Sequence, residues 1–232
     1  MADDSEADAP ESTQSAAPED GTPGVERLLT LSDGVVAIAL TLLVLQLAVP
    51  TIEGVSGSQA QSPGYLWKQL SSGRGDQFTA YVVSFYVIAQ FWLTHHRVFR
   101  SIQGHVEGLA WWNFAFLFTI TLMPFSTRLL ATFMYYRTAV IIYWLNILAP
   151  GVLLYASWKY ATRHDMIRAD TPPEIRVAIC RRVFWAQAFY ALGVALCVFG
   201  SLWSIAFIFA LQLNYAVAPR LPGRRKEAAI SL

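Results

Sequence analysis

Polar and ionisable side chains open the first long apolar stretch of the sequence, where plain leucines would enter a membrane more easily. Arg27, Ser32 and Asp33 lie in RLLTLSDGVVAIALTLLVL, and Thr41 is a lone hydroxyl near its middle. In lipid, a carboxylate is costly unless it faces a protein interior, water or a cationic partner. Arg27 precedes Asp33 by almost two helical turns, which is too far for direct contact without help. Asp33 therefore needs partners from other helices.

A second polar group lies at the matching end of the next apolar stretch. FWLTHHRVF places Trp92, His95 and His96 at the depth of Asp33, and WWNF at the start of the third stretch adds Asn113. A cluster of these groups would satisfy its own donors and acceptors. The predicted members of this supporting network are Arg27, Ser32, Asp33, Trp92, His96 and Asn113. The simpler alternative is that Ser32 and Asp33 only cap the first helix.

These residues give little support for catalysis or metal binding. His95 and His96 lack a serine or cysteine nucleophile with an orienting acid, and no cysteine or third histidine lies at ligand spacing. The two cysteines, Cys180 and Cys197, are too far apart in one apolar helix to form a disulfide. The sequence therefore predicts a protein that is not an enzyme and that needs no metal and no cofactor. A membrane-embedded enzyme or a structural scaffold remains as an alternative.

The composition predicts an all-α integral membrane protein. Of the 232 residues 55% are hydrophobic and only 14% are charged, whereas about a quarter are charged in an average soluble domain. A membrane helix needs roughly 20 mostly apolar residues. Six stretches meet this requirement, and they cover approximately residues 28–49, 78–94, 109–125, 139–158, 177–199 and 202–217.

The polar ends of the chain set the expected boundaries and orientation. Residues 1–24 are acidic and poor in large apolar groups, which predicts a disordered tail. Residues 25–217 form the predicted six-helix membrane domain, and residues 218–232 form a basic tail. Most of the 17 lysines and arginines fall on the side of the N-terminus, which predicts cytoplasmic termini in the cell membrane. A net charge of +1 argues against a nucleic-acid partner.

One face of the first helix carries a regular stripe. Ile38, Thr41, Leu42 and Leu45 recur at positions i, i+3, i+4 and i+7. Such a stripe by itself is more typical of packed core or lipid contact than of a pore. If several copies of this face met on an axis, they would form stacked apolar rings with one hydroxyl ring. Rings of this kind gate by narrowness and dewetting.

Three stretches of this sequence resemble one known family. RLLTLSDGVVAIALTLLVL resembles the first-helix signature R-x-x-x-F-S-D of the prokaryotic branch of the transmembrane protein 175 potassium channels, with Leu31 in place of the phenylalanine. FWLTHHRVF and WWNFAFLFTITLMPFSTRLL resemble the second and third helices of the family. The resemblance covers about residues 25 to 217 and is most specific in the first half.

The resemblance implies a potassium-selective or potassium-preferring cation channel in the lipid bilayer. It implies a homotetramer of six-helix subunits whose first helices line a central pore, with potassium as the permeant ion. Ile38 would form the constriction, with Thr41, Leu42 and Leu45 in the next rings toward the outside, and Thr41 would offer oxygen to the ion. The alternative function is a proton-coupled transporter that uses Asp33 and His96 as a relay.

Overall fold

A computed structural model describes residues 23–47, 64, 75–104, 107–196, 203, 206–207 and 210. Across these residues the regular structure is helical, which confirms the all-α part of the predicted fold class. The helices are α1 (Pro23–Val44), α2 (Gly75–Arg100), α3 (Glu107–Thr121), α4 (Met123–Thr132), α5 (Arg137–Arg163) and α6 (Pro173–Leu196). The predicted span 202–217 lies almost wholly outside the described residues, as do both predicted tails apart from residues 23 and 24, where α1 already begins.

Three helical stretches are long and apolar enough to cross a membrane, judged by length and composition over the described residues. They are Pro23–Val44, Glu107–Thr132 and Arg137–Arg163. Charged side chains lie at the favourable ends of two of these helices. Glu26 is in the first turn of α1, and Arg163 is in the last turn of α5. Both charges oppose the partial charge of the helix terminus beside them. Six spans remain a prediction.

The third predicted span is interrupted. The sequence predicts one helix over 109–125, whereas the chain breaks at Leu122 between α3 and α4 and then continues to Thr132. Pro124 lies in the first turn of α4. Because proline has no backbone N–H, it cannot donate to the carbonyl of Ile120 one turn earlier. The apolar pattern alone predicts an uninterrupted helix here, because it takes no account of the missing N–H of Pro124.

Two hydrophobic clusters hold the bundle together and show which helices are parallel and which are antiparallel. One cluster joins the start of α1 to the end of α2, the start of α3 and the end of α5 through Val25, Phe99, Leu109 and Trp158, among others. Helices α1 and α3 therefore run parallel, and α2 and α5 run in the opposite direction. The larger cluster fills the other half of the bundle, where α4 and α5 contribute the fully buried Met123, Tyr143 and Trp144.

The loops at one end of the bundle are joined by backbone hydrogen bonds. Ile102 and Ile167 form an isolated antiparallel bridge between the α2–α3 loop and the α5–α6 loop. Beside it, the N–H of Gln103 donates to the carbonyl of Met166 at 2.7 Å. Arg168 donates to Asp170 at 3.2 Å, and this hydrogen bond lowers the pKa of the Asp170 carboxyl. The ends of α2 and α5 are therefore fixed relative to each other.

Candidate functional site

One face of α1 packs against the rest of the bundle. The residues on this face recur every three or four positions, as a helix of 3.6 residues per turn requires. They are Val25, Leu28, Ser32, Val36, Ala39 and Leu43, all of them buried. Helices α2, α3 and α4 all contact α1. The bundle therefore covers one side of α1 along most of its length.

The opposite face of α1 is exposed in the single chain, and three of the four predicted pore residues lie on it. The fourth, Leu45, lies in the turn that follows Val44, because α1 ends there and not at residue 49 as the sequence predicts. The exposed fraction is 61% for Ile38, 42% for Leu42 and 70% for Leu45. Thr41 is also exposed. Side chains of this kind on an isolated subunit need lipid, a second subunit or a dewetted passage around them. The periodicity of α1 therefore separates a packed face from an uncovered one.

The hydroxyl of Thr41 is oriented by its own helix. Its Oγ1 donates to the carbonyl of Ile38 at 2.8 Å. A threonine hydroxyl has one proton and two lone pairs. Because the proton is used within the helix, the oxygen presents itself to the surroundings as an acceptor. An exposed acceptor without a free donor suits a cation better than an anion.

A buried polar network connects α1, α2 and α3. Asn113 Nδ2 donates to Ser32 Oγ at 3.1 Å, and Ser32 Oγ donates to the carbonyl of Leu28 at 2.7 Å. His95 Nε2 lies 2.7 Å from Asn113 Oδ1. An amide oxygen only accepts, so His95 carries its proton on Nε2 and donates it. Every side chain in this network thus has a partner, as buried polar groups in proteins usually do.

The ring of His95 is also held by aromatic contacts. It stacks on Phe99 at 4.1 Å and on Phe116 at 4.8 Å between ring centroids. One phenyl ring comes from α2 and the other from α3. The imidazole therefore links α2 to α3 in two ways. Its edge makes the hydrogen bond to Asn113, and its faces stack on the two phenyl rings. Such a ring is a fixed structural element of the bundle.

The Asp33 carboxylate has a separate partner. Trp92 Nε1 donates to Asp33 Oδ1 at 2.7 Å. The ring of His96 lies against Trp92 with 5.7 Å between centroids, and its Nδ1 is buried without a hydrogen-bond partner among the described residues. Arg27 is exposed on α1, and no hydrogen bond among the described residues joins it to this group. The structure therefore places the predicted residues in two groups, with Arg27 outside both.

The sequence prediction named His96 as the histidine of the network, whereas the hydrogen bond is made by His95. A signal for this was present in the sequence. On α2 the buried residues recur at helical spacing, and His95 lies on that face together with Ser84, Phe91 and Val98. His96 is the next residue along α2, so it lies beside that face and not on it. Within the described residues no group of three His, Cys, Asp or Glu side chains could hold a metal ion.

The sequence also left out a second buried polar group, in the other half of the bundle. Ser84, Thr127 and Tyr143 come from α2, α4 and α5, and they are at most 1% exposed. Ser84 Oγ lies 2.9 Å from Tyr143 Oη and 2.7 Å from Thr127 Oγ1. We call these three residues the hydroxyl cluster. Their separation along the chain hid them from any reading of local motifs.

Comparisons with known proteins agree on one family. The family model described as endosomal/lysosomal potassium channel TMEM175 matches residues 27–124. A potassium channel of Chamaesiphon minutus is 32% identical over 212 residues, which are 87% of this chain and 97% of that protein. A potassium channel of Streptomyces collinus is 31% identical over 210 residues, 88% of this chain and 96% of that protein.

The fold gives the same result. The crystal structure of a lysosomal potassium-selective channel TMEM175 homolog from Chamaesiphon minutus is similar to this chain with a TM-score of 0.69 and 28% identity. The similarity covers 84% of this chain and 97% of the other. The prediction that the chain is not an enzyme is thereby confirmed, since its relatives are channels. The chain belongs to the TMEM175 family of membrane channels.

Proposed function

We propose that this chain is the subunit of a potassium channel in the cell membrane, with both termini in the cytoplasm. Four subunits of six membrane helices each would surround one pore lined by α1. The relatives named potassium channel align over nearly their whole length with this chain, which supports the function. No enzyme activity and no cofactor belong to this proposal, and potassium is only the permeant ion.

The observation that carries the pore assignment is the uncovered face of α1. Ile38, Thr41, Leu42 and Leu45 are exposed while the opposite face of the same helix is buried. A pore helix needs such an arrangement, because one side must hold the helix in its subunit and the other must face the axis. The rings would then follow one another along the axis at Ile38, Thr41, Leu42 and Leu45.

The polar network has a supporting part in this proposal. Ser32 and Asp33 lie on α1 within one turn of each other, and they bind Asn113 of α3 and Trp92 of α2 respectively. Polar contacts at two neighbouring positions fix both the depth and the rotation of α1. Rotation of α1 decides which side chains face the axis, so the network would keep Ile38 turned toward the ion path.

Recordings of purified protein in planar bilayers test this function. With potassium on one side and sodium on the other, we expect discrete current steps whose reversal potential shows that potassium is more permeant than sodium. Uptake that saturates and follows a proton gradient, with no current steps, would instead support the transporter that uses Asp33 and His96. A protein that shows neither property would overturn the proposed function.

Replacing Thr41 by valine is expected to weaken the preference for potassium over sodium. Valine keeps the shape of threonine but removes the oxygen that we propose contacts the ion. We expect the ring of four hydroxyls to favour potassium over sodium by about 1 kcal/mol, the size of one net hydrogen bond, so the permeability ratio should fall about fivefold without it. The measurement is the shift of the reversal potential. Thr41→Ser keeps the hydroxyl and should retain the ratio, so equal ratios for serine and valine would contradict this contact.

A further inference from the structure

The hydroxyl cluster is a short chain of hydrogen bonds between three helices. Thr127 Oγ1 lies 2.7 Å from both the carbonyl of Met123 and Ser84 Oγ. A hydroxyl has one proton, and a carbonyl only accepts. Thr127 shares this proton between Ser84 Oγ and the carbonyl of Met123. Between Ser84 and Tyr143 either hydroxyl can be the donor. The hydrogen bonds of the cluster join α2, α4 and α5.

The cluster lies at the depth of Thr41. Asp33 of α1 meets Trp92 of α2 at 2.7 Å, and the two helices run in opposite directions. Thr41 is eight residues after Asp33 on α1, and Ser84 is eight residues before Trp92 on α2. At about 1.5 Å of rise per residue, each step covers about 12 Å along its helix. Ser84 and Thr41 are therefore at one level, on different sides of α1.

The break between α3 and α4 is at the same level. Ser32 of α1 meets Asn113 of the parallel α3. Thr41 is nine residues after Ser32, and Leu122 is nine residues after Asn113. Leu122 is the residue at which the helix is interrupted. Pro124 removes a backbone hydrogen bond there. The position of α4 therefore depends less on α3 and more on side-chain bonds to other helices.

Helix α4 in turn supports the packed side of α1. The two helices are in contact, and Met123 and Leu130 of α4 belong to the same hydrophobic cluster as the fully buried Leu43 of α1. Tyr143 is also part of that cluster. Asn146 Nδ2 adds a bond to Ser126 Oγ at 2.9 Å, again between α5 and α4. The outer half of α1 thus rests on a helix that buried hydroxyl groups hold in place.

We propose that Ser84, Thr127 and Tyr143 are positioning residues for the ion path: they fix α4 behind the outer half of α1 and so set how far apart the Thr41 hydroxyls lie around the ion. This inference rests on the proposed function, since it needs a pore lined by α1. The three residues touch no ion themselves. Their effect reaches the ion through Leu43 and the backbone of α1.

Single-channel recording of four variants tests this inference. Tyr143→Phe removes α5 from the cluster and Thr127→Val removes α4, and both keep the shape of the side chain. We expect each to lower the potassium-to-sodium permeability ratio about threefold, as loss of one net hydrogen bond can. Thr127→Ser keeps the hydroxyl and should restore the ratio. Ser157→Ala is the control, because Ser157 is buried but donates only to Leu153 of its own helix.

The outcomes separate this inference from the proposed function. If Tyr143→Phe and Thr127→Val conduct with the ratio of the unmodified protein, or if Ser157→Ala lowers it equally, the inference is overturned and the channel remains. If both variants yield no folded protein, the cluster has only a folding role and the inference is also overturned. An unmodified protein that passes no potassium current overturns both.

Discussion

Substitution of Ile38 by asparagine is expected to raise the potassium current and to weaken the preference for potassium over sodium. A narrow ring of isoleucines excludes water, and an ion that loses its water there has no ligand in exchange. The amide of asparagine admits water and offers oxygen to either ion. We expect an increase in current of about tenfold, which corresponds to a barrier lowered by about 1.4 kcal/mol. Current and reversal potential are measured in the same bilayer.

The position of Ile38 makes this test specific. The side chain is 61% exposed in the single chain, so its replacement removes little packing within the subunit. Ile142→Asn is a matched control, since Ile142 is an exposed isoleucine of α5 that we place outside the ion path. Equal currents and ratios for Ile38→Asn and the unmodified protein would show that this face of α1 does not line the pore.

Substitution of Asn113 by leucine should have the largest effect on stability. Asn113 is fully buried and joins Ser32 to His95. Leucine has the same branching as asparagine, although its terminal methyl groups are larger, and it leaves the His95 N–H without an acceptor in the interior. An unsatisfied buried donor costs about 1–3 kcal/mol. We expect thermal denaturation of the detergent-solubilised oligomer at a clearly lower temperature, measured by loss of the oligomer peak in size-exclusion chromatography.

Two further variants show whether the lost hydrogen bond is the cause. Thr121→Val is the control in the same helix, because Thr121 donates only to the carbonyl of Phe118. The double variant Asn113→Leu with His95→Phe removes both partners, and such replacements are nearly neutral when the shape is kept. The double variant should therefore be more stable than Asn113→Leu alone. A double variant that is less stable would argue against the bond and in favour of packing.

Local sequence pattern was sufficient for the first helix. The recurrence of Ile38, Leu42 and Leu45 predicts one face of a helix. The structure places Ile38 and Leu42 on the uncovered face of α1, and the equally uncovered Leu45 follows in the turn after Val44. The pattern works because helix geometry is local and depends only on spacing. Whether that face meets an ion path or lipid depends on other subunits, which no pattern within one chain specifies.

The polar network was predictable in part. Polar side chains in apolar stretches signal interhelical contacts because lipid offers no partners. That argument brings Ser32, Asp33, Trp92 and Asn113 to one depth, and the structure joins them in pairs. It does not choose between His95 and His96. That choice depends on the rotation of α2 about its axis, which is set by packing against α1, α4 and α5.

The hydroxyl cluster shows where sequence reasoning ends. Serine and threonine often bond the backbone of their own helix, as Thr41 and Ser157 do, so a hydroxyl in an apolar stretch does not by itself signal a contact between helices. Only the packing of α2, α4 and α5 brings Ser84, Thr127 and Tyr143 together. Thr127 lies on α4, after the break at Leu122, so the direction of its side chain depends on how α4 is oriented relative to α3. A contact between three separate helices leaves no signature in the spacing along any one of them.

The central claim is that the uncovered face of α1 lines the ion path, and accessibility of single cysteines tests it most directly. In a protein whose native Cys180 and Cys197 are replaced by serine, Leu45→Cys is exposed to a membrane-impermeant cationic thiol reagent during recording. We predict a rapid, irreversible fall in potassium current for Leu45→Cys. We predict no change for Leu192→Cys, because Leu192 is an exposed leucine on α6, outside the proposed ion path. A current that persists in Leu45→Cys after complete labelling, or a cysteine there that the reagent never reaches in the conducting protein, would contradict the claim.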